Sequence, residues 1–181
     1  KSLKKKIIFK QIKRKKNPVQ DQLYKISVGI KIANGMFIFL LDGDDLFKKN
    51  KLKQIISHKK KNKLFLDDHI QLKKNKFNYK HDNKFKTYFF YKFFLNPWPS
   101  KICTSCISGE KKLFNIFFDN INIKKYNYLA IDVLLIIYFL NDIYKIKKIL
   151  TVKKILDLSV DTNFSNFFKQ IYWNRRIEQH K

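Results

Sequence analysis

The stretch Gly35-Met36-Phe37-Ile38-Phe39-Leu40-Leu41-Asp42-Gly43-Asp44-Asp45 constrains the fold of this chain more than any other. Six apolar residues, Met36 to Leu41, run directly into three carboxylates within four positions. An uninterrupted apolar run closed by turn residues predicts a strand buried on both faces of a parallel sheet. Carboxylates cannot follow it into the core, because burying one without a partner is costly. The acids therefore belong at the sheet's C-terminal edge, where open α/β sheets place their ligands. Asp42 and Asp44 offer two hard oxygen ligands on one turn, suited to Mg²⁺ or Mn²⁺ holding a diphosphate. The competing reading is an acidic surface turn with no ligand.

The residues before the run supply its context. Lys5 to Lys10 predicts a short strand, and a basic connection leads to Pro18. Val19, Leu23, Ile26, Ile30 and Ala33 then recur at helical spacing, the stripe of an amphipathic helix, with Gly35 as a left-handed cap. The first forty residues thus read β-α-β, for which a right-handed parallel crossover is expected.

After the acidic turn, Leu52, Ile55 and Ile56 predict a helix over about 50–60, and Leu64 to Leu66 a strand ending in Asp67-Asp68, which reads as a solvated strand end or else as a second functional pair. Residues 73–86 read as loop or edge strand. The run Tyr88 to Phe94 is aromatic, offering either a lipid-facing surface or a core element, and Asn96-Pro97-Trp98-Pro99 interrupts regular structure. A short strand over Cys103 to Ser108, a helix over 111–118 with Leu113, Ile116 and Phe117 inward, and an apolar helix over 130–140 follow. Residues 145–158 alternate apolar residues with lysine and predict a strand-rich connection. Asp161 or Thr162 caps a final helix carrying Phe164, Phe168 and Ile171 on one face. The whole reads as one domain over 1–181, with 160–181 as its C-terminal helix.

Charge needs care. Forty Lys and Arg against fourteen Asp and Glu give +26, which suits nucleic acid, an anionic membrane surface or an anionic substrate. Lysines spread along the whole chain, with few arginines, argue against a specific nucleic-acid reader. Abundant Lys, Ile, Asn and Phe are also what an A- and T-rich genome would encode, so charge alone selects no partner. Cys103 and Cys106 stand at Cys-x-x-Cys spacing, that of a redox motif or half a zinc site, but His58, His69, His81 and His180 are scattered singly and no second ligand pair stands at ligand spacing. The cysteines read as small packing residues in a reducing, cytoplasmic setting. No stretch reaches the roughly 18 apolar residues of a spanning helix.

The order Gly29-Ile30, Ala33-Asn34-Gly35, Phe37 to Leu41 and Asp42-Gly43-Asp44-Asp45, with Leu52 beyond, resembles the midsection of the family 2 glycosyltransferases. Trp98 to Ser108 resembles that family's acceptor-side loop and strand. Asp132-Val133-Leu134-Leu135 is similar to the helix start that carries its catalytic base, and Tyr172 to His180 to an aromatic, double-arginine ending of bacterial members. The resemblance implies a GT-A fold, an α/β Rossmann-like mixed sheet flanked by helices. Family members begin with a further β-α-β portion holding the nucleotide base, so the resemblance also implies a chain truncated at its N-terminus. The Ala-Arg-Asn triplet usual before the Gly-Ile step is replaced here by residues around Ile26-Ser27.

What this implies for function is an inverting transfer of sugar from a nucleotide-diphosphosugar to a glycan or lipid-linked acceptor, in cell-surface polysaccharide synthesis. Asp42, Asp44 and Asp45 would bind the donor diphosphate, Asp42 and Asp44 through Mg²⁺ or Mn²⁺, and Asp132 would be the base. Trp98, Thr104, Ser105, Arg175 and Arg176 would face the acceptor side. Asp132 also reads simply as an acid favoured at a helix N-terminus. A cytoplasmic protein, peripheral at the inner face of the plasma membrane, fits this scheme. The rivals are a basic nucleic-acid-binding protein, a non-catalytic scaffold, and a nucleotidyltransferase using comparable acids.

Overall fold

The computed structural model describes residues 8–58, 60–73, 76–78, 103–155 and 169–179. Helix α1 spans Pro18–Ile32. It starts there because the Asn17 side chain accepts hydrogen bonds from the Val19 and Gln20 amides, at 2.9 and 3.1 Å, and Pro18 presets the first turn. Its apolar stripe buries Val19, Leu23 and Ile30 as the spacing predicts. The cap differs from expectation. Ala33 turns to extended backbone while its N–H still reaches the Gly29 carbonyl, so Gly35 is not needed in a left-handed conformation and does not adopt one. Residues 8–10 are not in a strand; Phe9 is 91% exposed and Ile8 half-exposed.

Among the described residues, six strands form one mixed sheet: β1 Phe37–Phe39, β2 Leu46–Phe47, β3 Leu64–Lys73, β4 Lys76–Asn78, β5 Ile107–Glu110 and β6 Ile143–Lys154. Their order is β1-β5-β3-β6-β2, with β4 hairpinned onto β3. The β3–β6 pair is parallel; the β1–β5, β5–β3 and β6–β2 pairs are antiparallel. The expected parallel crossover onto β1 is therefore not formed among the described residues. β1 pairs antiparallel with β5, Ile38 opposite Gly109, and ends the sheet.

The run Met36 to Leu41 is a strand only over its middle, Met36 and Leu41 being exposed, and that middle serves two faces. Ile38 joins a core under α1 and two further helices, α3 Lys111–Asn120 and α4 Ile131–Tyr138, while Phe37 and Phe39 pack against a smaller cluster of Ile55, Phe65, Ile146 and Leu150. The alternation of β3 does the same, Leu64 and Leu66 to one side and Phe65 to the other. Phe114 and Phe117 of α3 are wholly buried and Ile116 is 46% exposed, so the inward face is Leu113-Phe114-Phe117 rather than one including Ile116. Phe114→Ala is expected to cost about 3–5 kcal/mol, read as a fall in the urea midpoint at unchanged slope; a loss below about 1 kcal/mol would contradict this packing.

Helix α2, Lys51–Ser57, is shorter than predicted, and only one residue of its apolar triplet is inside. Leu52 and Ile56 are half-exposed, and the buried pair one turn apart is Lys51 and Ile55. β3 runs past Leu66 for seven more residues than expected, so Asp67 is a buried mid-strand residue and not a solvated strand end. Of residues 145–158, expected as a strand-rich connection, 145–154 belong to the long strand β6, and 156–158 lie outside the described residues. The last helix, α5, spans Gln170–Gln179. The expected cap at Asp161 or Thr162, the aromatic run 88–94 and Trp98 lie outside the described residues.

Candidate functional site

The acidic turn is held from both sides. Leu40 N–H extends the β1 ladder to the Ile107 carbonyl at 3.1 Å, and the next bonded amide, that of Asp42, donates to Ser105 Oγ at 2.9 Å. The Asp45 amide closes the turn onto the Asp42 carbonyl at 3.1 Å. Asp45 itself is 5% exposed, and its Oδ1 accepts the Lys154 amide at 3.0 Å. One oxygen of Asp45 thus ties the turn to the end of β6, directly beside β2. Asp42 and Asp44 stay half-buried at the surface of the turn.

Asp132 arrives from a distant part of the sequence. It is the second residue of α4 and its Oδ1 accepts the Val133 amide at 2.8 Å, a placement the helix N-terminus favours. Its charge reaches Asp42. The Asp42 carboxyl is pushed up from 3.8 to about 6, first by burial, then by the negative charges of Asp45, Asp132 and Asp44, against a hydrogen bond with Thr104 that works the other way. The negative charges of Asp45, Asp132 and Asp44 are thus all felt at Asp42.

Thr104 and Ser105, expected on the acceptor side, lie beneath this turn. They sit in a 3-10 turn, Thr104–Cys106, before β5, at 4% and 0% exposure, and their side chains are engaged by Asp42. Under them is a buried polar network that the sequence does not announce. Lys51, wholly buried, donates from Nζ to the Ser105 carbonyl at 2.6 Å and Thr151 Oγ1 at 2.7 Å, and pairs with Asp67 Oδ1 at 2.7 Å. The Thr151 hydroxyl donates to Asp67 Oδ2 at 2.7 Å. The β3–β6 register shifts around Asp67, Asp68 and His69, which brings Thr151 opposite His69 and re-aims side chains as bulges do. Burial lifts the Asp67 carboxyl to about 6 even with Lys51 beside it.

Helix α5 docks on the approach to α4. Glu178 accepts the amides of Asn127, Tyr128 and Leu129 at 2.7, 2.7 and 2.9 Å, and Asn174 donates to the Tyr128 hydroxyl at 3.2 Å. A cleft of about 620 Å³ lies between α5 and residues 125–128, and none of the four acids lines it. Arg175 is half-buried on α5, the helix that also carries Arg176. Lys51 and Thr151 carry no local signal in the sequence, since nothing near them distinguishes them from solvated residues; Asp67 stands out only as half of an acidic pair, and Glu178 only as part of the C-terminal motif.

Residues 6–117, more than half of the chain, match the family model described as glycosyl transferase family 2. The match takes in the acidic turn, Thr104, Ser105 and the first seven residues of α3, and ends before Asp132. No curated protein matches the chain. Among the described residues, no helix is long and apolar enough to cross a membrane.

Proposed function

The chain belongs to glycosyl transferase family 2, and from that premise we propose that its acidic corner binds the diphosphate of a nucleotide-sugar donor and that Asp132 is the base which activates the acceptor. The observation that carries the reading is the convergence of Asp42, Asp44, Asp45 and Asp132, expressed in the raised Asp42 carboxyl. An excess of carboxylate oxygens is the donor set a hard divalent cation fits. Asp42 and Asp44 would hold Mg²⁺ or Mn²⁺; Asp45 contributes mainly by fixing the turn through Lys154. When bound, such a cation neutralises charge that builds on the leaving diphosphate.

The remaining roles fall to the protein's own groups. Asp132 accepts the proton of the acceptor hydroxyl, its orientation fixed by the Val133 amide donating to Oδ1. Thr104 and Ser105 position Asp42. The +26 charge draws an anionic donor, or an acceptor carried on an anionic lipid, toward the corner. The acceptor class that fits is a glycan or lipid-linked saccharide.

Product analysis with a donor labelled separately in sugar and nucleotide tests this reading. Sugar label in the product with release of nucleoside diphosphate supports it; nucleotide label in the product would mean a nucleotidyltransferase. Asp132→Asn is expected to keep donor binding and to lower transfer at least about a hundredfold. Loss of donor binding in that variant would remove the base assignment. Steeply salt-dependent duplex binding that ignores Asp42 and Asp44 changes would favour the nucleic-acid alternative.

A further inference from the structure

The turn that supports Asp42 also brings two thiols and an imidazole together. Within Cys103-Thr104-Ser105-Cys106 the Cys106 amide bonds back to the Cys103 carbonyl at 2.9 Å, so both side chains project to one side with Sγ atoms 3.1 Å apart. His69, on β3 at the register shift, places Nδ1 3.6 Å from Cys106 Sγ. One ligand atom from each of the three residues lies within 4.8 Å of the others. Cys103 and Cys106 are 2% and 1% exposed.

We propose that Cys103, Cys106 and His69 form a site for one thiophilic divalent cation of the zinc class, separate in place and chemistry from the carboxylate corner. Two thiolates and an imidazole are soft-to-borderline donors, which select zinc over magnesium or manganese. With bonds of about 2.3 Å to sulfur and about 2.0 Å to nitrogen, a tetrahedral ion needs ligand atoms roughly 3.5–3.8 Å apart. The observed spacings meet that after the sulfurs separate by less than about 1 Å. Three protein ligands leave a fourth position for water or another donor.

The charge balance also closes. Binding releases one proton from each thiol, and two thiolates cancel the charge of the cation, so no net charge is added to a buried place. The simple alternative is two cysteines packed as small apolar residues. It accounts for their burial but not for an imidazole brought to their sulfurs by an irregular strand. The site has a consequence next door, because the two residues between the cysteines are the ones that hold Asp42. A cation on Cys103 and Cys106 would brace the acidic turn from below.

Titration of the protein, reduced with a phosphine and freed of metal, with Co²⁺ tests this directly. Expected are tetrahedral d–d bands and thiolate-to-cobalt charge transfer saturating at one equivalent, displaced by Zn²⁺, and a higher melting temperature with Zn²⁺. Cys106→Ser should abolish the charge-transfer band, and His69→Gln should weaken Zn²⁺ binding at least tenfold. A wild-type spectrum of octahedral cobalt only, or bands unchanged when both cysteines are replaced by serine, would overturn the site. The spectra do not depend on transfer activity, so their failure leaves the transferase reading standing.

Discussion

Asp42→Asn is expected to abolish sugar transfer and, in the same molecule, to stabilise the fold at neutral pH. Both effects come from one carboxylate. Asp42 is half-buried among the charges of Asp45, Asp132 and Asp44, and its carboxyl is raised to about 6. A carboxyl raised on folding binds its proton more tightly in the native state. Its contribution to stability is complete below the ordinary value of 3.8 and is lost as pH rises through about 6. At neutral pH the native protein therefore carries an unfavourable charge, which Asn removes while keeping an oxygen for Thr104 to meet. The gain, discounted for partial exposure, is on the order of 1–2 kcal/mol. Urea unfolding in chelator-treated buffer should show it at about pH 7.5 and show almost none near pH 4. Transfer should fall by about a thousandfold, some 4 kcal/mol of barrier, if Asp42 helps to neutralise the leaving diphosphate. A variant that is no more stable than wild type at neutral pH, or that transfers sugar at close to the wild-type rate, would show that the corner is an ordinary solvated turn. Sites that bind charge are often strained in this way when empty of their ligand.

Local chemistry made part of this legible. Asn17-Pro18 and the stripe Val19, Leu23, Ile30 specify α1 almost completely, because cap and period lie within neighbouring residues. The apolar run and its acidic exit likewise place Asp42 and Asp44 at a strand end beside a helix. Legibility failed where pairing is long-range. β1 has apolar residues for both faces, yet its partner β5 lies about seventy positions on and runs antiparallel, which periodicity cannot reveal. Asp67 looked like a strand end because it is acidic, whereas the strand continues and the acid meets Lys51 and Thr151. A lysine at a helix start reads as solvent-facing unless its partner is known. The same limit hid the cysteine environment, since His69 reaches Cys106 only through the β3 register shift.

Lys51→Met is expected to remove about 3–5 kcal/mol of stability, because it leaves a carboxylate buried without its cation. Lys51 is 0% exposed and its Nζ holds Asp67, Thr151 and the Ser105 carbonyl together, with the Phe47 ring 4.3 Å away. Such a loss is a large share of the roughly 5–15 kcal/mol that keeps a domain folded. With Lys51 gone, only the Thr151 hydroxyl and a backbone hydrogen bond still oppose the burial that already raises Asp67 to about 6. The deficit should therefore widen as pH rises and narrow in mild acid, where Asp67 takes up a proton. Changing both partners, Lys51→Met with Asp67→Leu, removes the charge as well as its counterion and should restore most of the stability, since an apolar pair of similar volume often matches a buried ion pair. Activity should not follow stability. The ammonium also grips the Ser105 carbonyl, and the Ser105 hydroxyl grips the Asp42 amide. The double variant should thus fold near wild-type stability while its acidic turn loses its anchor and transfer stays low. Unfolding midpoints and transfer rates measured on the single and double variants give the coupling directly. If the double variant recovered transfer as fully as stability, the network would be a structural ion pair with no part in placing Asp42.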